Sequence, residues 1–269
     1  MYLGISSYSF PWMVGCNATG GPGLLTAKRL IDSAQLNELG FLQFGDNLPL
    51  HTLNQKELIE LKNYAAGAGV QLEVGTRGLN RQNIEQYLQI ARQLGSGFIR
   101  LVIDDDGFHP DVNEVIDIIG SALPLLSGEC IVLAIENHDR FKARTLEYII
   151  RSTDPNWVGI CLDTANSIGA GEGIREVGEI LAPYTVNVHI KDFEIKRVSH
   201  KMGFTVEGKP SGDGMLDISW LIGELEKWGR CNTATLELWI EPALTVELTL
   251  AKEKQWVDKS LQYLKTIIK

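Results

Sequence analysis

Four side chains able to bind a metal each close, or nearly close, an apolar run in the second half of the chain. Glu136 ends CIVLAIE, Asp163 ends VGICLD, His189 lies in TVNVHI and Glu237 in TATLELW. A carboxylate after five or six apolar residues is hard to explain as packing, because a buried charge is costly unless paired or coordinated. One such residue would mean little. Three carboxylates and an imidazole in register make a ligand set for one divalent ion. Oxygen-rich donors with one nitrogen suit Mn²⁺, with Mg²⁺, Co²⁺ or Zn²⁺ as alternatives, better than they suit thiol-loving metals.

Neighbouring residues extend the candidate site. His138 either touches substrate or caps the next helix. Lys191 and Asp192 read as an ion pair or as substrate contacts. Trp239, with Phe10 and Trp12, either walls the pocket or packs in the core. Arg100 in GFIRLVID points to the mouth or to the helix layer according to register. Asp104, Asp105 and Asp106 before Gly107 read as a solvated turn, and His109 as an exposed loop residue.

To converge, these residues need strands that end at one mouth. Eight strand-like runs supply them: MYLGISSYSF, GFLQFGD, VQLEVGTR, GFIRLVID, CIVLAIEN, WVGICLDT, TVNVHIKD and TATLELWI. Most are rich in Val, Ile and Leu, as strands buried on both faces should be. Between them lie segments of helical period, and LLTAKRLIDSAQLNELG, NQKELIELKNYAAGAG and RQNIEQYLQIARQLGSG end in Gly, the usual left-handed cap. Strand–helix alternation over 269 residues predicts an α/β fold, a (β/α)₈ TIM barrel that occupies 1–269 as a single domain. Active sites of such barrels sit at the C-terminal ends of the strands. There is no GxGxxG after the first strand and no GxxxxGK[ST], which removes the two commonest nucleotide-binding alternatives.

One segment breaks the rhythm. FEIKRVSHKMGFTVEGKPSGDGML, residues 193–216, is too long for an ordinary strand–helix connection and reads as a functional lid or binding loop. It carries Lys196, Arg197, His200, Lys201 and Lys209, a basic island in an acidic chain.

With 25 Lys and Arg against 34 Asp and Glu, the net charge of −9 argues against nucleic acid as the main partner. Of four cysteines, Cys16, Cys130, Cys161 and Cys231, none forms a CxxC pair, and the last three border apolar strands. They read as buried small hydrophobes in a reducing compartment. MYLGISSYSF lacks a basic segment followed by a long apolar stretch, so no signal peptide is expected. No run is long enough for a membrane span, and a cytoplasmic location is the expectation.

The strings IENHDRF, CLDTAN, VHIKDF, GDG and LELW resemble the xylose-isomerase-like barrel superfamily of sugar isomerases, epimerases and related proteins. The resemblance runs over essentially the whole chain. It implies Glu136, Asp163, His189 and Glu237 as ligands of one metal, and Glu136 and Glu237 as the acid/base pair of the ketose 3-epimerases. Two departures stand out. Asn166 occupies the place of the epimerases' His three residues after the strand-six Asp, and Lys191 stands near where an Arg usually binds substrate.

The expectation is therefore a divalent-metal-dependent isomerase or epimerase of a small sugar, working through an enediolate, with Glu136 and Glu237 moving the proton. The alternative is a lyase, a decarboxylase or dehydratase of a keto-sugar acid, with Arg197, His200 and Lys201 holding the carboxylate. An abasic-site endonuclease ranks lower, because five histidines in all are few for a three-metal cluster. A non-catalytic sugar-binding barrel has no need of two bases. A homo-oligomer paired through the helical layer is also expected from the resemblance.

Overall fold

Strands and helices alternate along residues 1–15 and 23–268, the part of the chain that the computed structural model describes. The strands are β1 (Tyr2–Ser6), β2 (Phe41–Phe44), β3 (Gln71–Arg77), β4 (Phe98–Val102), β5 (Val132–Glu136), β6 (Val158–Asp163), β7 (Thr185–Ile190), β8 (Asp192–Arg197), β9 (Phe204–Lys209) and β10 (Thr233–Leu236). All but β8 and β9 close into a parallel barrel, in the order β1-β10-β7-β6-β5-β4-β3-β2. The eight strand runs of the sequence are those eight staves.

The helices are α1 (Pro11–Val14), α2 (Ala27–Leu36), α3 (Gln55–Gly67), α4 (Arg81–Leu94), α5 (Val112–Glu129), α6 (Ala143–Ser152), α7 (Ile174–Leu181), α8 (Ile218–Glu226) and α9 (Val246–Ile267). Reciprocal capping boxes start two of them, Asn54 with Glu57 on α3 and Asp111 with Glu114 on α5. Gly69 takes the left-handed turn after α3, as expected, whereas after α4 that turn falls to Gly95, two residues before the Gly97 that ends the segment. After α2 that turn falls to Glu38, two residues before the glycine that the sequence offers. No helix among the described residues is long and apolar enough to cross a membrane.

The strands are buried on both faces, but only one face is apolar. Leu42, Val74, Ile99, Leu133, Ile160, Val188 and Leu236 belong to the main core. The opposite parity carries Gln43, Glu73, Arg100, Glu136, Cys161, Asp163, Asn187, His189, Thr233 and Thr235, all buried and, apart from Cys161, polar. Because strand side chains alternate, these fill the barrel's interior. The uniform apolar character expected of the strands therefore fails for the inner face, where hydrogen bonds replace apolar packing.

Residues 193–216 also differ from the open loop that their length suggests. β8 and β9 pair as an antiparallel hairpin from Asp192↔Lys209 to Arg197↔Phe204. The Asp192 carboxylate, 2% exposed, anchors its root by accepting from the amides of Phe193 and Leu216 on Oδ1 and of Gly212 and Gly214 on Oδ2. Gly208 is obligatory, since a Cβ there would lie 1.8 Å from the Trp239 carbonyl oxygen. Cys161 and Cys231 are buried as expected, whereas Cys130 is exposed in the left-handed cap of α5. That cap ends α5 two residues before β5 begins, outside the strand. Cys16 lies outside the described residues.

Candidate metal centre

Consecutive staves bring the four expected ligands together. Glu136 and Asp163 are the last residues of β5 and β6, His189 is the penultimate residue of β7, and Glu237 follows β10. His189 Nδ1 lies 3.5 Å from Glu136 Oε2, 3.4 Å from Glu237 Oε1 and 3.9 Å from Asp163 Oδ2. One ligand atom each of Asp163, His189 and Glu237 falls within 4.8 Å of the others. None of the four residues is more than 2% exposed.

Among the described residues, four buried side-chain nitrogen or oxygen atoms lack a hydrogen-bond partner. Three belong to this cluster: Asp163 Oδ2, His189 Nδ1 and Glu237 Oε2. Orphaned buried polar atoms are expensive and rare, so three converging from three strands fit a cation that they could share. The oxygen-rich donor set fits a divalent metal. The remaining oxygens are held: Glu136 Oε1 accepts from Asn166 Nδ2 at 2.8 Å, and Glu237 Oε1 from Ser6 Oγ at 2.9 Å. Asp163 Oδ1 accepts from the amides of Ala165 and Asn166.

Two cations flank the set, Arg100 buried and Lys191 half-buried. Arg100, on β4, turns inward, donates from Nε to Glu136 Oε2, and reaches Asp46 Oδ1 with Nη1 at 2.6 Å. Gly75 on β3 leaves room for it, because a Cβ there would lie 3.0 Å from Arg100 Cδ. Arg77 secures the other oxygen of Asp46 at 3.0 Å. Burial works against the Asp46 charge, yet the two guanidiniums hold its carboxyl well below the usual range. Burial likewise opposes the charge on Glu136, and Arg100 foremost keeps it low. Glu237 is also lowered, its burial outweighed by the cationic groups around it.

Lys191 Nζ lies 2.7 Å from Asp163 Oδ2 and 3.0 Å from Glu237 Oε2. These are ion-pair distances, so the ammonium faces two of the carboxylate oxygens that converge on the centre. Burial alone would lower the Lys191 pKa. Asp163, Glu237 and Glu136 raise it well above normal, so the side chain stays an ammonium.

Other expected residues scatter around this cluster. His138 sits at the mouth, paired with Asp139 at 2.6 Å. Trp239 is half-buried where Gly208 meets its carbonyl. Arg197, His200 and Lys201 lie exposed at the hairpin tip and engage the hairpin itself. Arg197 stacks over Phe204 and donates to the Lys201 carbonyl at 2.8 Å, and His200 accepts from the Met202 amide. The basic island is partly neutralised, with Lys196 and Lys209 paired to Glu194, and Lys196 also to Glu207. Asp104 pairs with Arg140 beside the DDDG turn.

Sequence reasoning missed Asp46, Arg77 and Ser6, and the floor residues Gln43 and Glu73. A polar residue between apolar neighbours in LQF and QLEV was the signal for the last two. A cleft of about 600 Å³ opens at the opposite, N-terminal end of the strands, lined by Phe98, Val132, Val186 and Arg230 among others. The metal-capable groups found among the described residues both contain His189, at the other end.

Residues 34–267 match the family model described as a xylose isomerase-like TIM barrel. The chain belongs to that family. It is 32% identical over 266 residues to a 3-oxo-isoapionate decarboxylase of Pectobacterium atrosepticum, covering 99% of this chain and 96% of the relative. The fold is similar to that of D-psicose 3-epimerase from Clostridium cellulolyticum H10, with a TM-score of 0.75, 18% identity and complete coverage of both chains. A xylose isomerase-like barrel of Mycobacterium smegmatis in complex with magnesium gives a TM-score of 0.68 at 13% identity, over 98% of this chain and 97% of that one.

Proposed function

We propose that the chain is a divalent-metal-dependent decarboxylase of a small 3-oxo sugar acid. The observation that carries this reading is the half-buried Lys191 ammonium set against the metal-capable cluster, with Arg100 behind it holding Glu136. A 3-oxo acid brings a carboxylate that matches this ammonium in charge, whereas a neutral ketose offers it only hydroxyl and carbonyl oxygens. The relative at 32% identity over almost the full length is a decarboxylase whose named substrate is a 3-oxo acid.

In this reading Glu136, Asp163, His189 and Glu237 hold one ion, for which the donors suit Mn²⁺, with Mg²⁺, Co²⁺ or Zn²⁺ as alternatives. Such an ion, when bound, supplies Lewis acidity toward a carbonyl oxygen. Lys191 binds and orients the substrate carboxylate through a charge-assisted contact, the role that charge pattern alone suggests for Arg197, His200 and Lys201. His138 and Trp239 line the substrate from the rim. The C1–C2 bond breaks, its electron pair moves onto C2 and the C3 oxygen, CO₂ departs, and C2 takes one proton from water. Arg100 and Asn166 keep Glu136 in place, as Ser6 keeps Glu237.

A second reading, a ketose epimerase or isomerase, is favoured by the Glu136 and Glu237 pair. Both carboxylates are held as anions by fixed partners, which suits ligands better than proton carriers. To separate the readings, the chelator-stripped protein is reloaded with Mn²⁺ or Mg²⁺ and given 3-oxo-isoapionate in D₂O. CO₂ release with one deuterium in the product supports decarboxylation. No CO₂, together with solvent deuterium appearing at C3 of D-psicose or D-fructose, would replace it with epimerisation.

A further inference from the structure

We propose that Gln43, locked by Glu73 and Asn187, is a positioning residue that sets the histidine tautomer of the centre. The inference rests on the metal reading of the four-residue cluster and not on which reaction the centre serves. His189 Nε2 faces downward into the barrel, 2.7 Å from Gln43 Oε1. Gln43 is 1% exposed, and its amide nitrogen lies 3.2 Å from both Glu73 Oε2 and Asn187 Oδ1.

The orientation of that amide follows from what its neighbours can do. Asn187 spends its own Nδ2 on Thr233 and Thr235, at 2.8 Å to Thr233 Oγ1 and 3.0 Å to Thr235 Oγ1, so Oδ1 is left to accept. Glu73 accepts from Thr233 Oγ1 at 2.8 Å on its other oxygen. A flipped Gln43 would turn its carbonyl toward Asn187 Oδ1, which can only accept, and its NH₂ toward the histidine. With the amide nitrogen committed to Glu73 and Asn187, Gln43 Oε1 must accept, and among the described residues the donor facing it is Nε2–H of His189.

The proton of His189 therefore sits on Nε2, and the Nδ1 lone pair is aimed at Glu136, Asp163 and Glu237. Cys161 Sγ lies on the same lower side, 3.1 Å from Nε2, and donates to Asn187 Oδ1 at 3.2 Å. The barrel floor thus presents to the carboxylates a nitrogen that can only accept. Outer partners of this kind typically change metal affinity 10–100-fold when removed.

The test starts with the metal-free wild type, in which nitrogen-15 NMR of His189, assigned by its loss in His189→Gln, reads the tautomer directly. A pyrrole-type Nε2 and a pyridine-type Nδ1 are expected, and the reverse pattern overturns the inference without any variant. Titration with Mn²⁺ alone then compares wild type with Gln43→Met and Glu73→Gln. Gln43→Met should bind Mn²⁺ about 10–100-fold more weakly and lose the fixed tautomer. Glu73→Gln, which can still accept from Gln43, should stay near wild type on both counts. Unchanged affinity and tautomer in Gln43→Met would also overturn it. If the wild type binds no Mn²⁺, the metal reading itself fails. If it binds Mn²⁺ but releases no CO₂, only the decarboxylase assignment falls.

Discussion

Arg100 and Glu136 are partners inside the barrel, the guanidinium on β4 bridging the Glu136 carboxylate to Asp46, with side-chain exposures of 4% and 1% for the pair. Removing one member of a buried, hydrogen-bonded pair leaves an uncompensated charge and typically costs about 3–5 kcal/mol. Arg100→Met should therefore lower the unfolding free energy of the metal-free protein by about that amount in urea titration. A loss under about 1 kcal/mol would show that Glu136 does not depend on this partner.

Loss of ligands should be visible without any substrate. Elemental analysis of the wild type should find about one divalent ion per chain, and Glu237→Gln and His189→Ala should lose it. A ligand at 100 times its Kd stabilises a fold by about 2.7 kcal/mol. Mn²⁺ at that excess should raise the wild-type melting temperature and leave both variants unmoved. Stabilisation that survives in both variants would place the ion elsewhere.

Lys191 offers a cleaner dissection of the reaction. A hydrogen bond to a charged group contributes about 1.5–3 kcal/mol, so Lys191→Met should lower kcat/KM for the 3-oxo acid about 10–100-fold. The same change frees Asp163 and Glu237 from a competing ammonium, so Mn²⁺ affinity should hold or increase. Parallel loss of metal and activity would recast Lys191 as a structural counter-ion.

Away from the centre, Glu253 on α9 carries a pH signature. Burial pushes its carboxyl up to about 7, against the hydrogen bonds that it accepts from the Trp12 and Met13 amides. A raised carboxyl binds more protons folded than unfolded, so its contribution to stability is present below about pH 4.5 and is lost as pH rises to about 7. Glu253→Gln loses one amide acceptor and should be less stable at low pH, but its stability should fall less across that window. Parallel stability curves for wild type and variant would refute the assignment.

The convergence of Glu136, Asp163, His189 and Glu237 was legible because each is a single charge or imidazole ending or interrupting an apolar run, and parallel strands leave few explanations for that. Arg100 sits in the same kind of run, yet GFIRLVID alone does not say which face it takes. Only the pairing of Arg100 with Ala134 and Gly75, in staves already anchored by Glu136, settles the inward direction. Gln43 and Glu73 carried the same local signal, a polar residue among apolar ones, but not its meaning. Their meaning lies in contacts to Asn187, Thr233 and His189, more than a hundred residues away. The hairpin could have been read from FEI and FTVEG, where apolar residues alternate with polar ones; the basic residues around SHKMG obscured that period.

The Asp192 anchor has a consequence for how this barrel can change over generations. Among the described residues it grips main-chain amides, and it sits three residues beyond His189. Substitutions at the hairpin tip, from Lys196 to Thr205, leave the carboxylate and the amides it grips untouched. Selection can thus revise what the hairpin tip contacts while the side chains at the barrel mouth stay where they are, because the appendage is tied to the barrel by its root and not by its tip.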